Sequence, residues 1–151
     1  MKRNAFALVE MLTVMGIIAI LFALTVPQLF RMRDRNNLQT ATTTMISLFR
    51  QQQLNAMNSP KLYGIHLDQS GYTRFIGSEY STSNETNTTV TLDYPIEILN
   101  ITIPDATIIF ASGSGDIVGY NAAQNSFMLG DTVNSEQHTI QFNALGVPVS
   151  L

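Results

Sequence analysis

The chain has 151 residues, 45% of them hydrophobic, and a formal net charge of −3. This length leaves room for one modest folded domain, and the lack of cysteine excludes disulfides and thiolate metal sites. All eight Lys and Arg residues precede residue 75 and eight acidic residues follow it, so we expect no nucleic-acid binding by the C-terminal half.

A long apolar run follows a short basic leader at residues 1–5. Residues 6–26 contain a single ionisable side chain, Glu10. As a helix rising about 1.5 Å per residue, this run would span roughly the 30 Å hydrocarbon core of a bilayer. It is also longer than the apolar region of a cleaved secretory signal. The pattern predicts a transmembrane helix over residues 6–30.

Two residues of this run are candidates for a special role. A carboxylate such as Glu10 costs a few kcal/mol in hydrocarbon and by default marks a functional site with a partner, although a position near the helix end would also tolerate it. Pro27 removes a helical hydrogen bond, which predicts a kink or local melting around residues 24–28.

The helical pattern continues over residues 31–58 but becomes amphipathic. Its apolar residues recur mostly at three- and four-residue intervals and are expected to cover the sheet of the soluble domain. They are Leu38, Ala41, Met45, Leu48, Phe49 and Met57. Pro60 predicts the end of the helix near residue 58, because proline disfavours helical geometry in the residue before it.

Residues 61–151 show the two-residue period of strands and are predicted to form a β-rich globular domain. A hairpin is expected around the turn at residues 68–71, followed by an exposed polar loop at residues 78–89. Four short apolar runs and a terminal edge strand after Gly146 predict a small antiparallel sheet. The runs are residues 96–103, 107–111, 126–129 and 139–142. The fold class is α+β, with a long N-terminal helix packed on this sheet.

The N-terminal motif, from the basic leader through Ala5, Phe6 and Glu10 to Pro27, closely resembles that of type IV pilins and type II secretion pseudopilins. The resemblance implies that a prepilin peptidase cleaves between Ala5 and Phe6 and that the new amino group of Phe6 is N-methylated. Glu10 then becomes the fifth mature residue, and Pro27 the twenty-second. Ala5 departs from the glycine that usually precedes the cleavage site, which predicts slower processing.

The C-terminal half is loosely similar to H-type minor pseudopilins and T-type fimbrial minor pilins. The similarity rests on residues 108–110, a glycine-containing turn and the terminal strand with Gly146. Some T-type members bind DNA through a basic C-terminal region, but residues 145–151 contain no Lys or Arg. The resemblance therefore does not extend to DNA binding.

Catalytic and metal sites have little support in the sequence. His66 and His138 lie in predicted strands outside any catalytic motif, so we expect no enzymatic activity and no cofactor. Major pseudopilins often hold Ca²⁺, for which Asp116, Asp131 and Glu136 are ligands of a suitable kind. Their spacing follows no calcium-loop motif, so no metal site is predicted.

Together these features predict a non-enzymatic, minor structural subunit of a type IV pilus or type II secretion pseudopilus. Glu10 and Pro27 are the predicted assembly residues. The expected partners are prepilin peptidase, other pilin or pseudopilin subunits, the inner-membrane assembly platform and, before assembly, lipid. The expected location is the bacterial inner membrane, with a periplasmic or extracellular C-terminal domain. The alternative is a solitary single-span anchored domain that binds a partner outside the cytoplasm.

Overall fold

A computed structural model describes the backbone of residues 2–151 and the side chains of residues 8–25 and 37–151. The chain divides into two compact units, Met1–Asn36 and Asn37–Leu151. Helix α1 (Lys2–Met57) contributes residues to both units, and all strands belong to the second. The fold class is therefore α+β, as predicted.

In the first unit the backbone is helical from Lys2 onward, and the leader residues 2–5 are part of the helix. The helix assignment also continues through residues 24–28, so the backbone is not melted there. Two threonines return hydrogen bonds to the preceding turn, Thr13 Oγ1 to the Val9 carbonyl at 2.8 Å and Thr25 Oγ1 to the Leu21 carbonyl at 2.7 Å. These bonds satisfy both hydroxyls inside an apolar helix.

In the second unit α1 ends at Met57, close to the predicted stop before Pro60. Leu38, Met45 and Phe49 are at most 1% exposed, which confirms most of the predicted apolar face. Met57, which the sequence pattern assigns to that face, is instead 45% exposed. Met57 lies in the last turn of α1, where the side chains of the apolar face no longer all contact the core.

The strands form two antiparallel sheets, and the prediction of one sheet is wrong. The first sheet has the order β3-β2-β1-β5, and the second has the order β4-β6-β7-β8. The strands are β1 (Tyr63–Asp68), β2 (Gly71–Ile76), β3 (Thr88–Thr91), β4 (Ile96–Leu99), β5 (Thr107–Phe110), β6 (Ser126–Asp131), β7 (Gln137–Phe142) and β8 (Pro148–Ser150). A 3-10 turn at Pro104–Ala106 precedes β5.

The predicted hairpin is confirmed, but one strand was missed. In the hairpin, Asp68 pairs with Gly71 across a two-residue turn. Strand β3 begins inside the segment predicted as a loop and pairs with β2 from Thr88 to Thr91. Its sequence, TTVT, has β-branched residues but no alternation of polarity, so periodicity could not identify it. Gly71 permits the pairing, because a Cβ at this position would collide with the Val90 carbonyl oxygen.

The core of the second unit contains residues of α1 and of both sheets. Phe49 of α1 lies with its ring centroid 5.8 Å from that of Phe127 on β6 and 4.8 Å from that of Phe142 on β7. All three side chains are at most 2% exposed. Aromatic rings at these separations contribute packing beyond their buried area, so this trio is a central element of the core.

The predicted terminal strand is confirmed as β8 at the edge of the second sheet. The turn before it is closed by hydrogen bonds from the Gly146 amide to the Asn143 carbonyl and from the Asn143 amide to the Val147 carbonyl. Gly146 adopts a φ of 76°, which few other residues tolerate. Pro148 then begins an edge strand, the position in a sheet where its missing N–H costs least.

Candidate functional site

The predicted transmembrane helix, residues 6–30, contains an exposed apolar stretch. Leu8–Thr25 has a mean hydropathy of 2.3, and none of its side chains is buried. By length and composition it can cross a membrane, which is also true of a signal sequence near an amino terminus. An apolar surface of this length needs lipid or protein around it, because water would solvate it poorly.

Glu10 is the single charged residue of this stretch, and its side chain is exposed. Among the side chains at residues 8–25 and 37–151, none pairs with its carboxylate; the bond from Thr13 Oγ1, at 2.8 Å, goes to the backbone carbonyl of Glu10. A carboxylate that enters apolar surroundings needs a countercharge. Within the described side chains, the carboxylate of Glu10 is thus left without a countercharge.

The other predicted site residues lie on the same helix, but their side chains fall outside the described part of the structure. Ala5 and Phe6 are helical and lie about one turn before Glu10, and Pro27 is roughly 26 Å further along the axis. These separations follow from helix geometry alone. The cleavage and assembly roles of these residues stay predictions.

A cleft of about 550 Å³ lies in the second unit, in the size range of small-molecule sites. It is lined by parts of β1, β5 and β7, by residues 78–80 after β2, by residues 103–105 before β5, and by residues 117–121, 124 and 125. Four isoleucines contribute apolar surface to it: Ile103, Ile108, Ile109 and Ile117.

One wall of the cleft is a stacked pair of rings, His66 and Tyr80. Their centroids are 3.9 Å apart, and their planes differ by 10°. His66 Nδ1 lies 2.9 Å from Thr107 Oγ1, which itself donates to the Asp105 carbonyl at 2.8 Å. Since the hydroxyl proton of Thr107 is used in that bond, Nδ1 carries the hydrogen and donates it.

The environment of His66 keeps its imidazole neutral near pH 7. Burial lowers its pKa below the ordinary value of 6.5, and the charge of Asp68 and the Asp105 carbonyl offset only part of this effect. The stacked wall is therefore uncharged under physiological conditions. His138 lies on β7 in the other sheet, so the strand arrangement does not bring the two histidines together.

Tyr120 and Asn125 also line the cleft. Asn125 Nδ2 donates to the Tyr120 hydroxyl oxygen at 3.1 Å and to the Phe142 carbonyl at 2.9 Å. The Tyr120 hydroxyl donates to the same carbonyl at 3.3 Å. Asn125 is only 9% exposed, so these bonds satisfy a buried amide and attach residues 120–125 to the end of β7.

Within the described residues, the structure does not bring the three candidate calcium ligands together in one group. Across the side chains at residues 8–25 and 37–151, no group of three or more His, Asp or Glu residues could hold a metal ion. The Asp131 carboxylate instead accepts bonds from the Val133 amide at 2.7 Å and from the Asn134 amide at 3.0 Å. Asn134 Nδ2 also donates to it, at 2.9 Å. The carboxylate therefore organises the turn between β6 and β7.

Because hydrogen bonds to the ionised Asp131 carboxylate stabilise this turn, we expect the domain to lose stability in acid. Burial opposes ionisation of Asp131, but the bonds from Asn134 and Val133 outweigh it and hold the pKa of the carboxyl below its usual 3.8. A group whose pKa is lower in the folded than in the unfolded state makes its full contribution to stability when the pH is above the unfolded pKa. This contribution is lost as the pH falls through the folded pKa. Asp131→Asn should therefore lower the free energy of unfolding by about 1–2 kcal/mol at pH 7 and by much less near pH 2.

Thermal unfolding of the full chain in detergent micelles, followed at several pH values, measures this difference. Asp93→Asn is the matched control, because Asp93 is exposed and its side chain makes none of the hydrogen bonds seen around Asp131. It should change stability by less than about 0.5 kcal/mol at any pH. A destabilisation by Asp131→Asn that is constant down to pH 2 would contradict the proposed role of the charge.

The cleft residues Tyr80, Tyr120 and Asn125 were not identified from the sequence. Tyr80 belongs to a segment predicted as an exposed polar loop, yet it is partly buried against His66 and, with a centroid distance of 5.6 Å, near Phe75. An aromatic residue within a polar loop is the signal that could have marked it, since such rings usually find a packing surface.

Comparison with protein-family models, with curated proteins and with solved structures found no match to this chain.

Proposed function

We propose that this chain is a non-enzymatic subunit, of the minor class, of a type IV pilus or type II secretion pseudopilus. The observation that carries the proposal is the exposed apolar helix Leu8–Thr25 with one carboxylate near its start. A simple anchor has no use for Glu10 in that position, whereas a helix that leaves lipid to pack against copies of itself does.

In this proposal Glu10 selects the position of each subunit in the fibre. Cleavage after Ala5 creates a cationic amino terminus at Phe6, and Glu10 of a staggered neighbour pairs with it in the apolar bundle. The ion pair offsets the desolvation of both charges, and selection of register is an attested use of such buried pairs. The surrounding Leu, Ile, Val, Met and Phe side chains face lipid before assembly and neighbouring helices after it.

The finer arrangement that we propose for the fold is a long helix whose second half packs on the β-domain. The ring contacts of Phe49 with Phe127 and Phe142 support it, as does the shared core of α1 and strand residues within Asn37–Leu151. Pro27 lies in α1 between the apolar segment and the part that packs on the β-domain. It would make bending of the helix easier during assembly.

The same proposal assigns the partners and the location. The subunit crosses the bacterial inner membrane once, with its β-rich domain outside the cytoplasm, and is processed by a prepilin peptidase. It then joins other subunits at the assembly platform. Because residues 75–151 carry no Lys or Arg, nucleic acid is not among the proposed partners.

Co-expression with a prepilin peptidase tests the proposal. Cleavage between Ala5 and Phe6 should shorten the chain by residues 1–5, and mass spectrometry should find Phe6 at the amino terminus with one added methyl group. Ala5→Gly should be cleaved at least as fast, since it restores the residue usual in the family that the motif resembles. Ala5→Val, with a larger side chain before the bond, should block cleavage.

The competing function is a solitary anchored domain that binds a partner outside the cytoplasm. It is favoured if the chain stays at full length with the peptidase present, while a known prepilin in the same cells is processed. In that case the apolar helix is an anchor only, and the roles proposed for Phe6 and Glu10 are wrong.

A further inference from the structure

The cleft beside His66 has no role in the proposed assembly of the apolar helix. All of its lining residues belong to the second unit, between His66 and Phe142. Its volume of about 550 Å³ would suit a ligand or the end of a side chain.

The charge around the cleft favours a positive ligand. Glu79 and Asp105 line it, whereas none of its residues is Lys or Arg. The imidazole of His66 adds no positive charge near pH 7, because burial lowers its pKa. The whole segment of residues 75–151 contains eight acidic residues and no basic one, so its field would repel an anion and attract a cation.

The hydrogen-bonding groups favour a cation over a neutral sugar. The Asn125 amide is bonded to Tyr120 and Phe142, as described above. Asn121 Nδ2 donates to Gln124 Oε1 at 2.9 Å, and Asn121 Oδ1 accepts from the Ala123 amide at 3.0 Å. The amides that would recognise hydroxyl groups are therefore largely engaged within the protein.

The carboxylates of Glu79 and Asp105, by contrast, have no side-chain partner among the described residues, and both residues are exposed. The partly buried side chains of Ile109 and Ile117 offer an apolar surface to a hydrocarbon stem. The rings of Tyr80 and Tyr120 also line the cleft, although one face of Tyr80 is already stacked on His66. A positive head group on an apolar stem matches this combination.

We propose that the cleft binds a protonated amine or guanidinium carried on an apolar stem. A free diamine and a lysine or arginine side chain of a partner polypeptide share this chemistry. The proposal does not depend on the pilus function, since it concerns the β-rich unit alone.

Methyl NMR of the full chain in nonionic detergent micelles tests it. Titration with 1,5-diaminopentane should shift the isoleucine methyl signals of the cleft, and added NaCl should reverse the shifts by screening the charges. The neutral analogue 1,5-pentanediol and maltose should not shift these signals at the same concentrations. A short blocked peptide with one central lysine distinguishes a polypeptide partner from a free amine. If the peptide binds more tightly than the diamine, the natural ligand is a polypeptide side chain; if it binds more weakly, the natural ligand is a free amine.

Two double variants with the same change in net charge distinguish diamine binding in the cleft from general attraction by the acidic residues. Glu79→Gln with Asp105→Asn should weaken diamine binding about fivefold, which corresponds to the loss of two exposed ion pairs of about 0.5 kcal/mol each. Asparagine also tolerates the φ of 51° found at Asp105. Glu85→Gln with Asp93→Asn removes two exposed carboxylates that do not line the cleft and should change binding less than twofold.

Three results would overturn the proposal. One is the absence of diamine-induced shifts at the cleft isoleucines in the wild-type chain. Another is binding of 1,5-pentanediol or maltose there at least as tight as that of the diamine. The third is an equal loss of diamine affinity in the two double variants, which would show that the diamine is attracted non-specifically by the negative charge.

Discussion

Phe49→Ala is expected to lower the free energy of unfolding of the second unit by about 3–5 kcal/mol. Phe49 is fully buried, and its ring contacts those of Phe127 and Phe142, which belong to neighbouring strands of one sheet. Truncation removes a large apolar side chain and leaves a cavity that three separate elements cannot easily close. Because a domain of this size has a total stability of about 5–15 kcal/mol, the loss is a large fraction of it.

Tyrosine signals allow this loss to be measured in the full chain. All five tyrosines lie in the second unit, at positions 63, 72, 80, 94 and 120, so the tyrosine band of the near-UV circular dichroism spectrum, recorded in detergent micelles, reports the unfolding of this unit. Leu54→Ala is the matched control on the same helix. Leu54 is 56% exposed, and its truncation should cost less than about 0.5 kcal/mol. Equal effects of the two substitutions would show that Phe49 is not a core residue.

Glu10→Ala is expected to leave membrane insertion and cleavage after Ala5 intact but to abolish most incorporation into fibres. Insertion should be unaffected or improved, because the substitution removes the single charge of the apolar stretch. Assembly should fail because the amino terminus of a neighbouring subunit would enter the bundle without a countercharge. An unpaired buried charge costs several kcal/mol, enough to reduce incorporation by about a hundredfold or more.

The measurement compares the amount of subunit in membranes with the amount in sheared fibres. Thr13→Val is a matched control one turn further along the helix, since it changes an exposed polar residue without changing charge. It should be incorporated like the wild type. Normal incorporation of Glu10→Ala would contradict the pairing of Glu10 with a neighbouring amino terminus, even if the chain is cleaved as proposed.

Much of the secondary structure follows from local sequence patterns. The hairpin of β1 and β2 was predictable because alternating residues flank a turn-forming quartet, and the end of α1 because Pro60 disfavours helix before it. The later strands were found for the same reason, as short β-branched or aromatic runs between turn signals. In each case the determining interactions join residues close in the chain.

The sheet pairing could not be obtained in this way. Strand β3 is recognisable only beside β2, where Thr73 Oγ1 and Thr89 Oγ1 lie 2.9 Å apart. Likewise β4 pairs with β6, about 30 residues further along, although β5 lies between them in the sequence. Which strands pair depends on how all apolar faces can be buried at once, and no local window contains that information.

The sequence by itself determined the exposed apolar stretch of α1, the isolated charge of Glu10, the acidic C-terminal half and the absence of disulfides. These properties depend on composition and on helix geometry, which act over one or a few turns. Only the tertiary structure decided the division into two sheets, the turn organised by Asp131 and the cleft that His66, Tyr80, Tyr120 and Asn125 help to line. Those features require residues from distant segments to meet, and their burial and hydrogen bonds exist only once the chain has packed.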